Sequence, residues 1–285
     1  MAEKKAIFLH PMNWTEKKTA RVAILDLNEG QPNQGMRCLR EIIHQWGEVN
    51  DFNIDLQEFE VRLKKEIPDN SFDIYLSSGG PGSPIDSDGS EWELLYKDWI
   101  RNLQQWNENE DNLIKKHVLF ICHSFQIASK HYAVGTISKR KSTSFGVFPI
   151  HLAENGKEEI IFNELRDPFY AVDSRDYQLI EPNHQRIAEM GGKILAIEKA
   201  RPHVPLERAV MALRFNDYFI GTQFHPEADP VGMSMYLQRE DKKKTVIENY
   251  GEEKWKSMIE HLNDPDKIVY THSQIVPNFL NIAIG

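Results

Sequence analysis

HVLFICHSFQIASKHYA, residues 117–133, holds the decision about the fold. His117 to Ile121 is a compact apolar run of strand length, and His123 to Ala133 reads as a helix, so Cys122 stands where a buried strand turns into a helix. Strands of this kind, apolar without alternation, belong to parallel sheets covered on both faces. The flanking sequence repeats the theme. Upstream, Phe72 to Ser77 is a strand that runs into Ser78-Gly79-Gly80-Pro81-Gly82-Ser83-Pro84. Arg21 to Leu27 (RVAILDL) is another, ending in Asn28-Glu29-Gly30. Between them, Met36, Leu39, Ile43 and Trp46 recur at helical spacing, with Asn33 as the expected cap and Gly47 as the expected terminator, and Phe52 to Val61 forms a further strand. Trp92, Leu95, Trp99, Leu103 and Trp106 mark the core face of the helix before His117. Strands alternating with helices predict an α/β fold with a mainly parallel open sheet, right-handed crossovers and helices on both faces.

Past residue 133 the pattern changes. Gly146 to Leu152, Lys193 to Ile197 and Ala209 to Phe215 read as strands without long helices between them, which predicts an antiparallel region grafted onto the sheet. Asn216-Asp217 supplies a turn into Tyr218 to Phe224, which leads to His225-Pro226-Glu227. After Asp229-Pro230 the chain turns charged and helical, and Lys242-Lys243-Lys244 reads as a solvated face. The expected division is an N-terminal extension (1–20), one principal domain (21–230) and a helical C-terminal extension packed on it (231–285).

Composition narrows the function classes. The chain has 285 residues, 40% hydrophobic and 27% charged, values typical of a soluble globular protein, and no apolar run reaches the ~18 residues of a membrane span. No cleavage pattern follows Met1, so export is not expected. Two cysteines, Cys38 and Cys122, are too few for a disulfide framework and suit a reducing cytoplasm. A net charge of −9 disfavours a nucleic-acid partner. Cys38 lies on an amphipathic helix and reads as a small buried hydrophobe without function.

Three motifs carry chemistry. A cysteine at the carboxyl end of a buried strand sits at the ligand-binding edge of an α/β sheet, and the helix that follows aims its positive end at the sulfur. Inert core is the competing reading for Cys122 alone. In Gln223-Phe224-His225-Pro226-Glu227, residues two apart in an extended segment share a side, so Glu227 reaches the His225 imidazole and fixes its tautomer, leaving His225 as the base for a nucleophile. Surface pairs and metal sites use the same spacing, but too few ligands cluster here for a metal. Gly79-Gly80-Pro81-Gly82 lets the backbone approach a ligand closely, and the Gly80 amide together with that of His123 can hold an oxyanion. The sequence GGPGSP carries neither the Lys-Ser/Thr of a P-loop nor the dinucleotide fingerprint.

Taken together, SSGGPGSP, ICHSFQ and GTQFHPE, in this order, resemble the oxyanion loop, nucleophile elbow and His-x-Glu strand of the class I (triad) glutamine amidotransferases. The resemblance runs over roughly Arg21 to Glu227 and is closest to the glutaminase portion of GMP synthetase. It implies a flavodoxin-like glutaminase architecture and a Cys122, His225, Glu227 triad that hydrolyses the glutamine side-chain amide through a thioester, without cofactor or metal. It also implies Gly82 and Gln126 as substrate contacts, and Asn183 and His184 as the pair presenting backbone groups to the amino-acid end of glutamine. Ammonia would pass to a separate synthetase. Related hydrolases of γ-glutamyl peptides and a non-catalytic binding module are the alternatives. The elbow departs from the family at Phe120 and Ser124, where glycine is usual. Serine is small enough to fit. The phenylalanine ring is expected to press on the turn that supplies the His123 amide and to leave the isolated chain slow until a partner reshapes the loop.

Overall fold

The structure, a computed structural model, describes residues 17–201, 206–262, 264 and 267–285. The expected N-terminal extension lies outside the described residues up to 16, and its last residues already belong to the first strand, β1 (Lys18–Asp26). There follow α1 (Gln34–Val49), β2 (Phe52–Glu60), β3 (Ile74–Ser77), α2 (Glu91–Glu108), β4 (His117–Ile121) and α3 (His123–His131). The second half contains β5 (Thr136–Leu152), β6 (Phe169–Ile180), α4 (His184–Glu189), β7 (Lys193–Glu198), β8 (Val210–Arg214), β9 (Phe219–Thr222), α5 (Pro230–Leu237), α6 (Glu240–Tyr250), α7 (Glu252–Leu262) and α8 (Ile268–Ile284).

All the described strands join one sheet in the order β2-β1-β3-β4-β9-β8-β6-β5-β7. From β2 to β9 every pairing is parallel. From β9 onward every pairing is antiparallel, and β7 also pairs with β8, so that end curls into a small barrel. The sheet is therefore mixed, neither mainly parallel nor open throughout. The reason is β6, twelve residues with no run of pure aliphatics, which the sequence pattern did not reveal as a strand. It pairs along nearly the whole of β5 and draws the later strands around it.

Strand parity divides the parallel half into two layers. Val22, Ile24, Leu76, Leu119, Ile121 and Ile220 face α1 and α8, while Ala23, Leu25, Tyr75, Val118, Phe120 and Phe219 face α2 and α3. Asn33 caps α1 as expected, its side chain accepting from the Gly35 amide at 2.6 Å. Gly47 does not end that helix. A Cβ there would lie 2.5 Å from the Ile54 side chain, so glycine serves the close approach of α1 to β2 instead. The buried face of α2 is Tyr96, Trp99, Ile100 and Leu103; Leu95 is exposed, and Trp92 and Trp106 are half-buried, so the expected aromatic stripe is rotated. Of the lysine run, Lys244 is exposed and Lys243 rests over the Trp255 ring. The C-terminal helix α8 places Ile275, Val276, Phe279 and Leu280 in the core beside α1. No helix among the described residues is long and apolar enough to cross a membrane.

Candidate active site

Parallel strands send their carboxyl ends to one edge, and there β3, β4 and β9 deliver the glycine loop, Cys122 and His225 side by side. Cys122 has φ 53° and ψ −100°, a left-handed conformation that a side chain adopts at a cost and that ends the strand sharply. Its amide is tied to the Thr222 carbonyl at 2.7 Å on β9. Being the N-cap of α3, it leaves the His123 amide in the first helical position, where no intrahelical acceptor exists.

Ser124 holds this turn. Its hydroxyl donates to the Ser77 carbonyl on β3 at 2.8 Å and accepts from the Ile121 amide at 2.8 Å. Ser77 in turn shares a hydrogen bond of 2.6 Å with Tyr96. A glycine offers none of this. Phe120 does not press on the elbow, contrary to expectation. Its ring lies in the layer of α2 and α3, packed among Trp99, Phe215 and Phe219, with centroids 5.8 to 6.4 Å away. The residue of β9 paired with Phe120 is Gly221, where a Cβ would fall 2.5 Å from the Phe125 ring and 3.0 Å from that of Phe215, so glycine there admits these two rings.

His225 donates or accepts through Nδ1 at 2.8 Å from Glu227 Oε1, and its ring lies close to Cys122 across Gly79. Burial pulls the imidazole toward neutrality, but the charges of Glu227 and Cys122 outweigh it, so His225 keeps its proton well above the ordinary histidine range. Glu227 is buried, and a Cβ on Gly35 would lie 2.9 Å from its carboxylate, so the positive end of α1 faces it. Its backbone carbonyl is met at 2.8 Å by His272 Nδ1 from α8. The neighbouring His225 amide donates to the Val172 carbonyl of β6 at 2.8 Å.

Gly79 seats the loop against both side chains: a Cβ there would stand 2.8 Å from His225 Cε1 and 3.4 Å from Cys122 Cβ. Gly80 is pressed on the Leu27 carbonyl, whose oxygen a Cβ would meet at 2.3 Å, and Gly82 has φ +94°. Arg62 staples the loop by donating to Pro81 O at 2.5 Å and Leu27 O at 3.3 Å. Gln126 is buried at the next turn of α3, its amide donating to Gln223 Oε1 at 3.0 Å and the Tyr177 carbonyl at 3.2 Å.

Asn183 and His184 are not part of this group. Asn183 caps α4, and its amide binds the Val134 carbonyl beyond the far end of α3, roughly 13 Å of helix away from Cys122. The backbone that does meet the site comes from β6: the Ser174 carbonyl lies 3.6 Å from Cys122 Sγ. Sequence reasoning also passed over Gln223, whose amide nitrogen is 3.7 Å from the same sulfur. The signal for Gln223 was available, because it stands two residues before His225 in an extended segment and shares its side. Ser174 acts through its backbone and left no trace in residue type. Cys38 is buried in α1, and its thiol is pushed up to about 12, chiefly by burial. Among the described residues, no group of three or more His, Cys, Asp or Glu is placed to hold a metal ion.

No curated protein sequence matches the chain. Solved structures do. A glutamine amidotransferase from Thermotoga maritima superposes with a TM-score of 0.62 at 13% identity, over 93% of this chain and 99% of the other. One from Methylobacillus flagellatus gives 0.60 at 12% identity, over 94% of each chain. The glutaminase domain of Trypanosoma brucei CTPS with bound acivicin gives 0.51 at 14% identity, over 73% of this chain and 86% of that one. At such identities these likenesses establish the fold alone. The sequence match is independent of them: the family model described as glutamine amidotransferase class-I covers residues 34–242, most of the chain and every motif at the sheet edge, and the chain belongs to that family.

Proposed function

We propose that the chain is the glutaminase component of an amidotransferase, with Cys122 as nucleophile, His225 as acid and base, and Glu227 as the group that orients and charges His225. The observation that carries this reading is the convergence on Gly79 of the Cys122 and His225 side chains, with Glu227 2.8 Å behind the imidazole. Cys122 attacks the carboxamide carbon of glutamine, and the Gly80 and His123 amides receive the oxyanion. His225 gives its proton to the departing ammonia, then takes one from the water that hydrolyses the thioester to glutamate. Gln126 and Gly82 hold the substrate. The β6 backbone at Ser174 takes the place expected of Asn183 and His184.

Ammonia passes to a separate acceptor-modifying synthetase in the cytoplasm. Incubating the protein with glutamine and with γ-glutamyl peptides, and following glutamate release, decides the substrate. Glutamine should be turned over, and Cys122→Ala should abolish release. A glutamine-directed chloroketone should label Cys122 and spare Cys38. Preference for γ-glutamyl peptides would make the chain a peptide hydrolase; equal labelling of both thiols would remove Cys122 from its role.

A further inference from the structure

We propose that the cavity at the barrel end of the sheet is a binding site for a small organic anion, a carboxylate or phosphate group carried on a flat apolar body. The cavity measures about 210 Å³ and lies between β5, β7 and α7. Drug-sized sites measure ~300–1,000 Å³, so the occupant is small.

Charge selects the occupant. Three arginines converge on one carboxylate: Glu198 is met by Arg140 at 3.2 Å, Arg175 at 3.3 Å and Arg201 at 2.7 Å. The second carboxylate, Asp173, is held by Arg175 at 2.9 Å and by the Ser144 hydroxyl at 2.8 Å. Lys199 adds a fourth cation, its ammonium 5.2 Å from the centre of the Phe148 ring. Among the described residues, these four cations against two carboxylates leave two positive charges, in a chain whose net charge is −9. Two of the guanidinium groups are deeply buried, Arg175 with 1% and Arg140 with 9% of its side chain exposed. Buried charge is costly unless it is paired, and Arg175 Nη1 has no hydrogen-bond partner among the described residues. Burial, then the neighbouring Arg175, pull Arg140 below the usual guanidinium range, as expected of a cation cluster short of anions.

Guanidinium groups meet carboxylate and phosphate oxygens in a planar fork, whereas the two resident carboxylates already commit their oxygens to the arginines. A third anion entering the cavity would meet Arg140, Lys199 and Arg201, which line it, with Arg175 behind Asp173 and Glu198. The apolar part of the lining, Phe145, Phe148, Met211 and Met258, lies beside the cations and suits a ring. The cavity is connected to the catalytic edge through one strand: Asp173 and Arg175 flank Ser174, whose carbonyl contacts Cys122.

Titration calorimetry of the full chain with phenyl phosphate and with benzoate tests the assignment, with inorganic phosphate for the group alone and phenol for the body alone. At least one aryl anion should saturate a single site, and inorganic phosphate and phenol should each bind at least ~10-fold more weakly. Arg201→Gln and Lys199→Gln should each weaken the aryl anion ~10-fold, the loss expected for one charge-assisted hydrogen bond. Should either variant fail to fold, the wild type decides: phenyl phosphate, and not phenol, should slow acetylation of Lys199 measured by peptide mass spectrometry. Absence of saturable binding by both aryl anions, or undiminished affinity in the folded variants, overturns the proposal.

Discussion

The two ends of the sheet handle polar groups in opposite ways. In the parallel half the central strands β1, β3, β4 and β9 carry the buried apolar core while the edge strand β2 alternates polar and apolar residues, and Cys122 and His225 are held outside the strands, at the carboxyl edge, by turns. In the barrel half the charges sit inside, on the strands themselves, with Asp173, Arg175 and Glu198 all buried. Parallel strands covered on both faces tolerate no charge along their length, so chemistry is displaced to the loops, where short motifs record it. An antiparallel barrel has an interior that alternating residues line, and ion pairs fit there provided each is matched. The first arrangement presents the residues of the proposed reaction at the sheet edge; the second adjoins them through β6, whose Ser174 carbonyl touches Cys122.

The widest test of that contrast is His225→Ala, which removes proton transfer and should lower glutamate release per folded molecule ~10²–10⁴-fold, with some loss of stability because buried Glu227 loses its partner. A variant with near wild-type turnover would place the chemistry elsewhere. Glu227→Gln should cost less in rate but move a titration. Removing the carboxylate lowers the His225 pKa, so the alkaline limb of the pH–rate profile shifts to lower pH. The linkage has a matching sign: a pKa raised above ~6.5 stabilises the fold fully below that value, and the contribution fades as pH climbs through the raised pKa. An imidazole whose NMR titration is unchanged in Glu227→Gln would refute the pairing.

On the barrel side, Asp173→Asn leaves the Arg175 charge without its closest partner and should destabilise by ~3–5 kcal/mol. If the barrel only braces the site, turnover per folded molecule in denaturant-free buffer should stay within a few-fold of wild type; a large fall in kcat with full folding would erase the division of labour. Phe120→Gly should cost a similar ~3–5 kcal/mol through lost packing, without the gain in basal activity that an obstructed elbow would give. Chemical denaturation beside glutaminase assays separates the two. The smallest effect is expected at Ser124→Ala, where the Ser77 carbonyl loses its hydroxyl donor: ~1–3 kcal/mol in stability, with kcat falling and KM nearly constant if the clamp aims the His123 amide. Unchanged kcat would reduce Ser124 to a packing residue.

The sequence by itself determined the parallel half. Its central strands are apolar runs, its turns need glycine or a special backbone conformation, and its candidate site residues lie close together along the chain, as with His225 and Glu227, or directly at a strand end, as with Cys122. Such features are local, so residue type records them. The tertiary structure alone decided three things. It showed that the Phe120 ring is taken up by Trp99, Phe215 and Phe219, aromatic residues from α2 and from around β9. It placed β6 beside the nucleophile, where a backbone carbonyl does the touching and any residue supplies one. It gathered Arg140, Arg175, Glu198 and Arg201 from three segments that no sequence motif links. Contacts between distant segments depend on packing and register, which local patterning does not encode, and a peptide carbonyl is the same whichever residue bears it.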